Sequence, residues 1–339
     1  MSKKRRSRKN VEARPTTTKR VKSDDRLLWR LVTDHPDIFD THVVTKLNGN
    51  DVKFFYDVNT ESRRAVKRSG AKLPYAFKIG DFDTTSTISW ALEKCSGWKE
   101  RFCWRMARKG NLELLKYAHE NGCPWSKDTC TTAAENGHLE CLKYAHENGC
   151  SWNGYTCSTA AENGHLECLK YAHENRCPWY RYTCLNAAEN GHLECLKYAH
   201  EKGCPWHEWT CRSAAEKGHL ECLKYAHENG CHWGKETCYR AALNGHLECL
   251  RYAHENGCPW DISWSLVGFD ETLSYEDVCS NAAKKGHLEC LKYAHENGCP
   301  WNEWTCSEAA ENGHLECLKY AHENGCTWDE DTCSRAAKN

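Results

Sequence analysis

The chain has 339 residues with a formal net charge of −1, and 27% of them are charged. No apolar run reaches the ~18 residues of a membrane-spanning helix, and no apolar segment follows the basic start "MSKKRRSRKN", so the sequence reads as neither membrane-embedded nor secreted. A nuclear or cytoplasmic protein is expected, in a reducing compartment where 25 cysteines do not imply disulfides.

The net charge hides an asymmetry. Residues 1–24 hold ten Lys/Arg against Glu12 and Asp24, which leaves 36 basic and 45 acidic residues elsewhere. This tail is polar and poor in core-forming residues, so disorder is expected. Its clusters "KKRRSRK" and "KRVK" suit an import signal, an arm that touches nucleic acid, or a solubilising tail.

Residues 25–95 carry helical periodicity in Val43, Val44 and Leu47, then "NGN", then Val52, Phe55 and Val58. The segment is similar to the F-box, with Pro36, Val43, Val44, Leu47, Asp51, Val52, Val58 and Arg63 in register. It departs from that pattern at Ile38, Asp40 and Ser62. The resemblance implies docking on the adaptor of a cullin ubiquitin ligase through Pro36, Val43, Val44, Leu47, Val52 and Val58. The other reading is a helical cap over the first repeat.

From residue 96 to 339 the chain repeats itself. A segment close to "GHLECLKYAHENGCPW" starts at Gly110, Gly137, Gly164, Gly191, Gly218, Gly245, Gly286 and Gly313, with a period of 27 broken once by a step of 41. Eight units and a trailing half unit result. In the unit after Trp125, Asp128 or Thr129 is placed to cap a first helix, Ala133 and Ala134 allow close approach, and Gly137 ends it. "HLECLKYAHEN" predicts a second helix closed by Gly149. At about 100° per residue, Leu139, Cys141, Leu142, Ala145 and His146 share one arc, and Glu140, Lys143, Tyr144, Glu147 and Asn148 the other. One such pair cannot bury its own apolar stripe, but a stack can, so an all-α helix-turn-helix solenoid is expected.

"TC-x-x-AA-x-x-GHLE-C-L-x-Y" resembles the ankyrin repeat over roughly Gly97 to Asn339. The period is shorter than the family's usual length of about 33, and the shortfall lies where the β-hairpin finger belongs, so short fingers are expected. The resemblance implies a non-enzymatic, protein-binding array with no cofactor, and a monomer is expected.

Three cysteines per unit, such as Cys130, Cys141 and Cys150, are widely spaced and no CxxC occurs, unlike a structural zinc site. They read as small buried residues. Stacked equivalents would lie ~8–10 Å apart, beyond the ~4.4–6.8 Å Cα separation of a disulfide. His138 and its equivalents suit a backbone or inter-repeat hydrogen bond. His146 and its equivalents suit a bonded ladder or a pH-sensitive stack, and the repeated Trp suits packing between units.

Differences between near-identical copies concentrate after the Trp and after the first-helix Cys. Tyr155, Tyr180, Arg181, Tyr182, His207, Trp209, Arg212, Lys235, Tyr239, Arg240 and Trp304 stand there. These residue types are common among binding hot spots, and the ankyrin resemblance places them on the recognition face. The insertion at 261–278 adds Trp264 and Phe269. Three functions follow: a scaffold for a partner protein, an F-box-type substrate receptor, or a nuclear scaffold whose basic arm touches nucleic acid. The acidic repeats themselves lack the basic phosphate contacts that nucleic acid requires. The final "DTCSRAAKN" is a first helix without its second, either a cap or a truncation.

Overall fold

The computed structural model describes residues 99–260, 277–328 and 330–337, all in the second of two compact units, Met1–Lys94 and Cys95–Asn339. The basic tail, the F-box-like segment with Pro36, Val43, Val44, Leu47, Val52 and Val58, and the insertion residues Trp264 and Phe269 lie outside the described residues. First helices run over Lys99–Lys109, Thr129–Glu135, Gly154–Glu162, Thr183–Glu189, Thr210–Glu216, Glu236–Leu243, Val278–Lys284, Glu303–Glu311 and Glu330–Ala336. Second helices run over Leu112–Glu120, Leu139–Glu147, Leu166–Glu174, Leu193–Glu201, Leu220–Glu228, Leu247–Glu255, Leu288–Glu296 and Leu315–Glu323. Each first helix packs on the first helix of the next unit and on its own second helix. The described residues form an all-α array of stacked helix pairs with no strand among them. Among them, no helix is long and apolar enough to cross a membrane.

Both helices of a unit stop in the same way. Gly149 has φ +85°; its N–H donates to His146 O (3.0 Å) and the Cys150 N–H to Ala145 O (2.9 Å). This is the Schellman pattern, which satisfies orphan carbonyls through a left-handed residue. Gly137 repeats it, donating to Ala134 O, while the His138 N–H donates to Ala133 O. Helix starts differ from expectation. Asp128 sits at the N-cap without a side-chain bond to the helix, whereas Asn153, Asn302 and Asp277 do cap theirs. Asp277 and Val278 therefore belong to a helix and not to the insertion that the sequence extends to 278.

The core is narrow and made of small residues. Cys130, Ala133, Ala134, Cys141, Leu142 and Ala145 are buried in one unit, and their equivalents in the other full units, except that Leu318 in the last is only half-buried. Of the described cysteines only Cys333 is exposed. Although far apart in sequence, Cys130 and Cys150 meet: the Cys130 Sγ lies 3.7 Å from the Cys150 carbonyl. A hydrogen bond to the Cys150 side chain, then burial, pushes the Cys130 thiol well above its usual range. Burial, with Glu140 adding, pushes Cys141 up to about 11. Such thiols stay protonated and act as small apolar groups with weak donors. The finger thiols form a second set, their pKa lowered by the bond from the first-helix Cys, and there Cys177 and Cys326 lie 3.1 Å from the carbonyls of Asn153 and Asn302, where β pairing would otherwise stand.

Two side-chain ladders tie unit to unit. His138 Nε2–H donates to Arg108 O (3.1 Å) of the preceding first helix. Its ring lies so close to Gly110 that a Cβ there would meet His138 Nδ1 at 2.5 Å. The same holds down the array, through Gly164 with His192 and Gly245 with His287. In the second ladder, the Tyr171 hydroxyl lies 3.2 Å from His146 Nδ1. His146 stacks on Trp152 with centroids 3.6 Å apart. In other units the Trp N–H donates to a carbonyl of the next unit, as Trp125 does to Asn148 O (2.8 Å). Tyr144 and Tyr171, which the helical wheel assigns to the outward arc, are thus inter-unit residues. Burial, with Glu147 near, holds Tyr171 above the usual phenol range, so it stays a donor. Leu139, assigned to the core arc, is only half-buried. Both ladders continue across the insertion: the first through Gly245 and His287, the second through His254 Nδ1, 3.1 Å from the Tyr293 hydroxyl, and Trp260, which donates to Asn297 O at 3.2 Å.

The two classes of glycine should respond differently to substitution. Gly164→Ala meets both a φ of +74° and the His192 ring at 2.6 Å, whereas at Gly149 nothing lies within 4 Å of an added Cβ. The expected loss is about 2–3 kcal/mol for Gly164→Ala and about 1 kcal/mol for Gly149→Ala, read from urea unfolding; equal losses would remove the ring contact from the account. Arg176 stands where other units have glycine and carries φ +66°. Arg176→Gly should therefore stabilise the array by about 0.5–1 kcal/mol, the left-handed cost less the added backbone entropy.

Stability should also depend on pH. Burial lowers the pKa values of His165, His219 and His287 below the ordinary 6.5. The unfolded chain then binds protons more readily than the fold, so stability is complete above the unfolded value and is lost as pH falls through it towards the lower folded values. The urea midpoint should drop between about pH 7.5 and about 5.5. A flat profile would show that these rings titrate alike in both states.

Candidate functional site

The framework histidines and tryptophans are occupied by their neighbours in the stack. Among the described residues, no three His, Cys, Asp or Glu side chains come together as metal ligands would. What remains for function is the set of positions that differ between units, and their geometry follows from the register of the stack. The third residue after one Trp lies beside the first residue after the next Trp.

That register joins five rings across three units. Tyr155 and Tyr180 have centroids 4.4 Å apart, with their hydroxyls at 3.2 Å. Tyr180 meets Tyr182 at 5.2 Å, Tyr182 meets His207 at 4.8 Å, and His207 meets Trp209 at 5.4 Å. The strip is open at both ends, with Tyr155 52% and Trp209 49% exposed. The hydrogen bond between the Tyr180 and Tyr155 hydroxyls is the main cause raising the Tyr180 phenol above its usual range, so the strip is uncharged there at neutral pH. Two guanidinium groups lie over it: Arg181 at 4.6 Å from the Tyr182 ring and Arg212 at 5.4 Å from Trp209.

The strip stops where side chains stop. The sixth ring position is Gly234, the one glycine among the eight residues that directly follow the repeated Trp. A groove of about 600 Å³ opens there, lined by Trp206, His207, Glu208, Trp209 and Arg212 on one side and by His232, Trp233, Gly234 and Glu236 on the other. Its size falls within the range of ligand-binding clefts, about 300–1,000 Å³. Sequence differences between units fall on Glu208, His232 and Glu236 as well as on the strip, but a choice by aromatic and basic type passes these three over, and Trp206 and Trp233 are framework residues that recur in every unit. The available signal was the missing side chain at Gly234.

The other variable residues lie apart from the strip. Tyr239 is buried, 8% exposed, and does not belong to a recognition face. The position after the first-helix Cys faces the next unit, as the bonds Thr131 to Thr156 (3.0 Å) and Ser280 to Thr305 (3.2 Å) demonstrate. Arg240 is half-buried, 3.7 Å from Glu216, and covers Tyr239. Lys235 sits half-buried at a helix N-cap. Trp304 is half-buried with the Arg335 guanidinium 4.9 Å from its ring.

The family model described as ankyrin repeats (3 copies) matches residues 131–208, and the one described as ankyrin repeats (many copies) matches residues 211–254 and 279–322. A search of the curated proteins found no match. Among solved structures, the human ASB11 ankyrin repeat domain is 19% identical, with 50% of this chain and 84% of that chain covered and a TM-score of 0.42.

Proposed function

We propose that these ankyrin repeats are a non-enzymatic scaffold that holds a partner protein on the strip from Tyr155 to Trp209 and in the groove beside it. One observation carries the reading. A continuous, partly exposed row of five rings is assembled only from positions that vary between otherwise near-identical units. Framework side chains recur in every unit and cannot distinguish one stretch of the array from another. Tyr and Trp with flanking Arg are the types that dominate binding energies in protein interfaces. Exposed rings of this kind also lose little conformational entropy on binding.

The test is affinity purification with the tagged chain, followed by titration of the recovered partner. Tyr182→Ala with Trp209→Ala should weaken binding by about 1–3 kcal/mol per anchor, or roughly ten- to a hundred-fold each. Thermal melting should barely change. Leu196→Ala is the contrasting variant: the side chain is fully buried, and its loss should cost about 2–5 kcal/mol of stability through the cavity left behind. Unchanged affinity in a folded Tyr182/Trp209 double variant would move recognition off this face.

The substrate-receptor reading rests on the F-box register of Pro36, Val43, Val44, Leu47, Val52 and Val58. It predicts recovery of a cullin and its adaptor with the tagged chain, lost on deletion of residues 36–64 while the repeats keep their helical signal. Absence of any ligase subunit from the intact chain's partners would dismiss it.

A further inference from the structure

We infer that the groove beside Trp209 takes the cationic side chain, arginine or lysine, of an extended basic segment in the partner. This rests on the reading of the strip as the partner-binding face and specifies the chemistry recognised there. Three indoles line the groove, those of Trp206, Trp209 and Trp233. Aromatic faces attract a guanidinium or ammonium through the ring quadrupole, and more strongly where water is excluded. The strip already uses this chemistry internally, with Arg181 over Tyr182 and Arg212 over Trp209.

Charge points the same way. Glu208 and Glu236 line the groove and are exposed. The Glu236 carboxylate leans over the gap, since a Cβ added at Gly234 would lie 2.5 Å from its Oε2. The lining cation, Arg212, is already engaged, stacked on Trp209 and 3.9 Å from Glu216. The whole unit Cys95–Asn339 carries 35 acidic against 25 basic residues, so its field draws in a cationic segment and repels an acidic one. The groove is lined by two neighbouring units at the end of the strip, which suits an extended chain laid across them.

The experiment uses the full chain and fluorescent peptides, read by anisotropy at low and physiological salt. The probes are an extended Gly-Ser-Arg repeat, its citrulline counterpart, which keeps the shape and removes the charge, and a Gly-Ser-Glu repeat. The arginine peptide should bind saturably and about tenfold tighter than the citrulline peptide, and the acidic peptide should not bind. Trp209→Ala, and Glu208→Gln with Glu236→Gln, should each weaken it roughly five- to tenfold. Gly234→Leu fills the gap at a position without positive φ, so it should abolish binding while the melting curve stays unchanged. Glu167→Gln with Glu194→Gln, on second helices, should have little effect; an equal loss there would reduce the binding to diffuse attraction and overturn the inference. Equal affinity for the citrulline peptide would also overturn it. If the natural partner still needs Tyr182 and Trp209 in that event, the strip remains the binding face and only the cation chemistry fails. If the partner ignores both residues, the earlier reading fails as well.

Discussion

Each imidazole of the Gly-His pairs from His138 to His314 rests on the bare Cα of a glycine one unit earlier, and those of His138, His165, His219 and His287 donate to a carbonyl at the end of the preceding first helix. The glycine has two constraints at once, a left-handed backbone and a ring pressed against its open side. Either alone favours glycine; together they leave no room for a side chain. The histidine is held equally tightly, because its bond satisfies a backbone group that the helix end would otherwise leave to water. Everything else in the stack follows from this contact. It fixes the separation of adjacent first helices, and that separation admits only alanine, cysteine, serine and threonine along most of the seam.

The same separation explains why so many cysteines and histidines add up to no reactive centre. Thiols that donate to finger carbonyls take over the work of the absent β pairing. Imidazoles sandwiched between an indole and a neighbouring phenol stabilise the convergence of three side chains from two units. A single unit shows only some of these partners, such as the indole on its imidazole, and the phenol and the finger carbonyl arrive with the neighbouring unit. The variable positions behave in the opposite way. Those of the strip recur in no framework contact, yet the register of the stack decides which of them meet.

Much of this was legible in the sequence. Period, glycine stops and the small apolar arc gave the helix pairs, and Cys141, Leu142 and Ala145 are buried as the arc requires. Errors arose wherever a residue's partner lies one unit away. A helical wheel sees one helix, so it turned Tyr144 outward although the hydroxyl reaches His119 at 3.1 Å. It likewise set Leu139 in the core, where the neighbour covers only part of it. Tyr239 resembles a surface anchor by type, but its position faces the adjoining first helix. Asp128 has the right chemistry for a cap and the wrong backbone. The candidate strip was half legible: the variable row could be read, whereas its continuity from Tyr155 to Trp209 and its end at Gly234 depend on the offset between successive units.

The ladders that close over the insertion have a wider meaning. His254 reaches Tyr293 across 39 residues with the same geometry that other units reach across 25. A longer connection costs little, because closure entropy grows only with the logarithm of loop length, under about 1 kcal/mol for such an increase. The Gly, His, Tyr and Trp of the ladders recur from unit to unit, so the ladder contacts do not depend on which units are neighbours. Whole units can therefore be duplicated, lost or reordered by recombination between near-identical copies without breaking the ladders. Each such event would shuffle the surface residues into a new order on an unaltered frame, making the array a combinatorial surface whose inheritance is set by the length of the repeat.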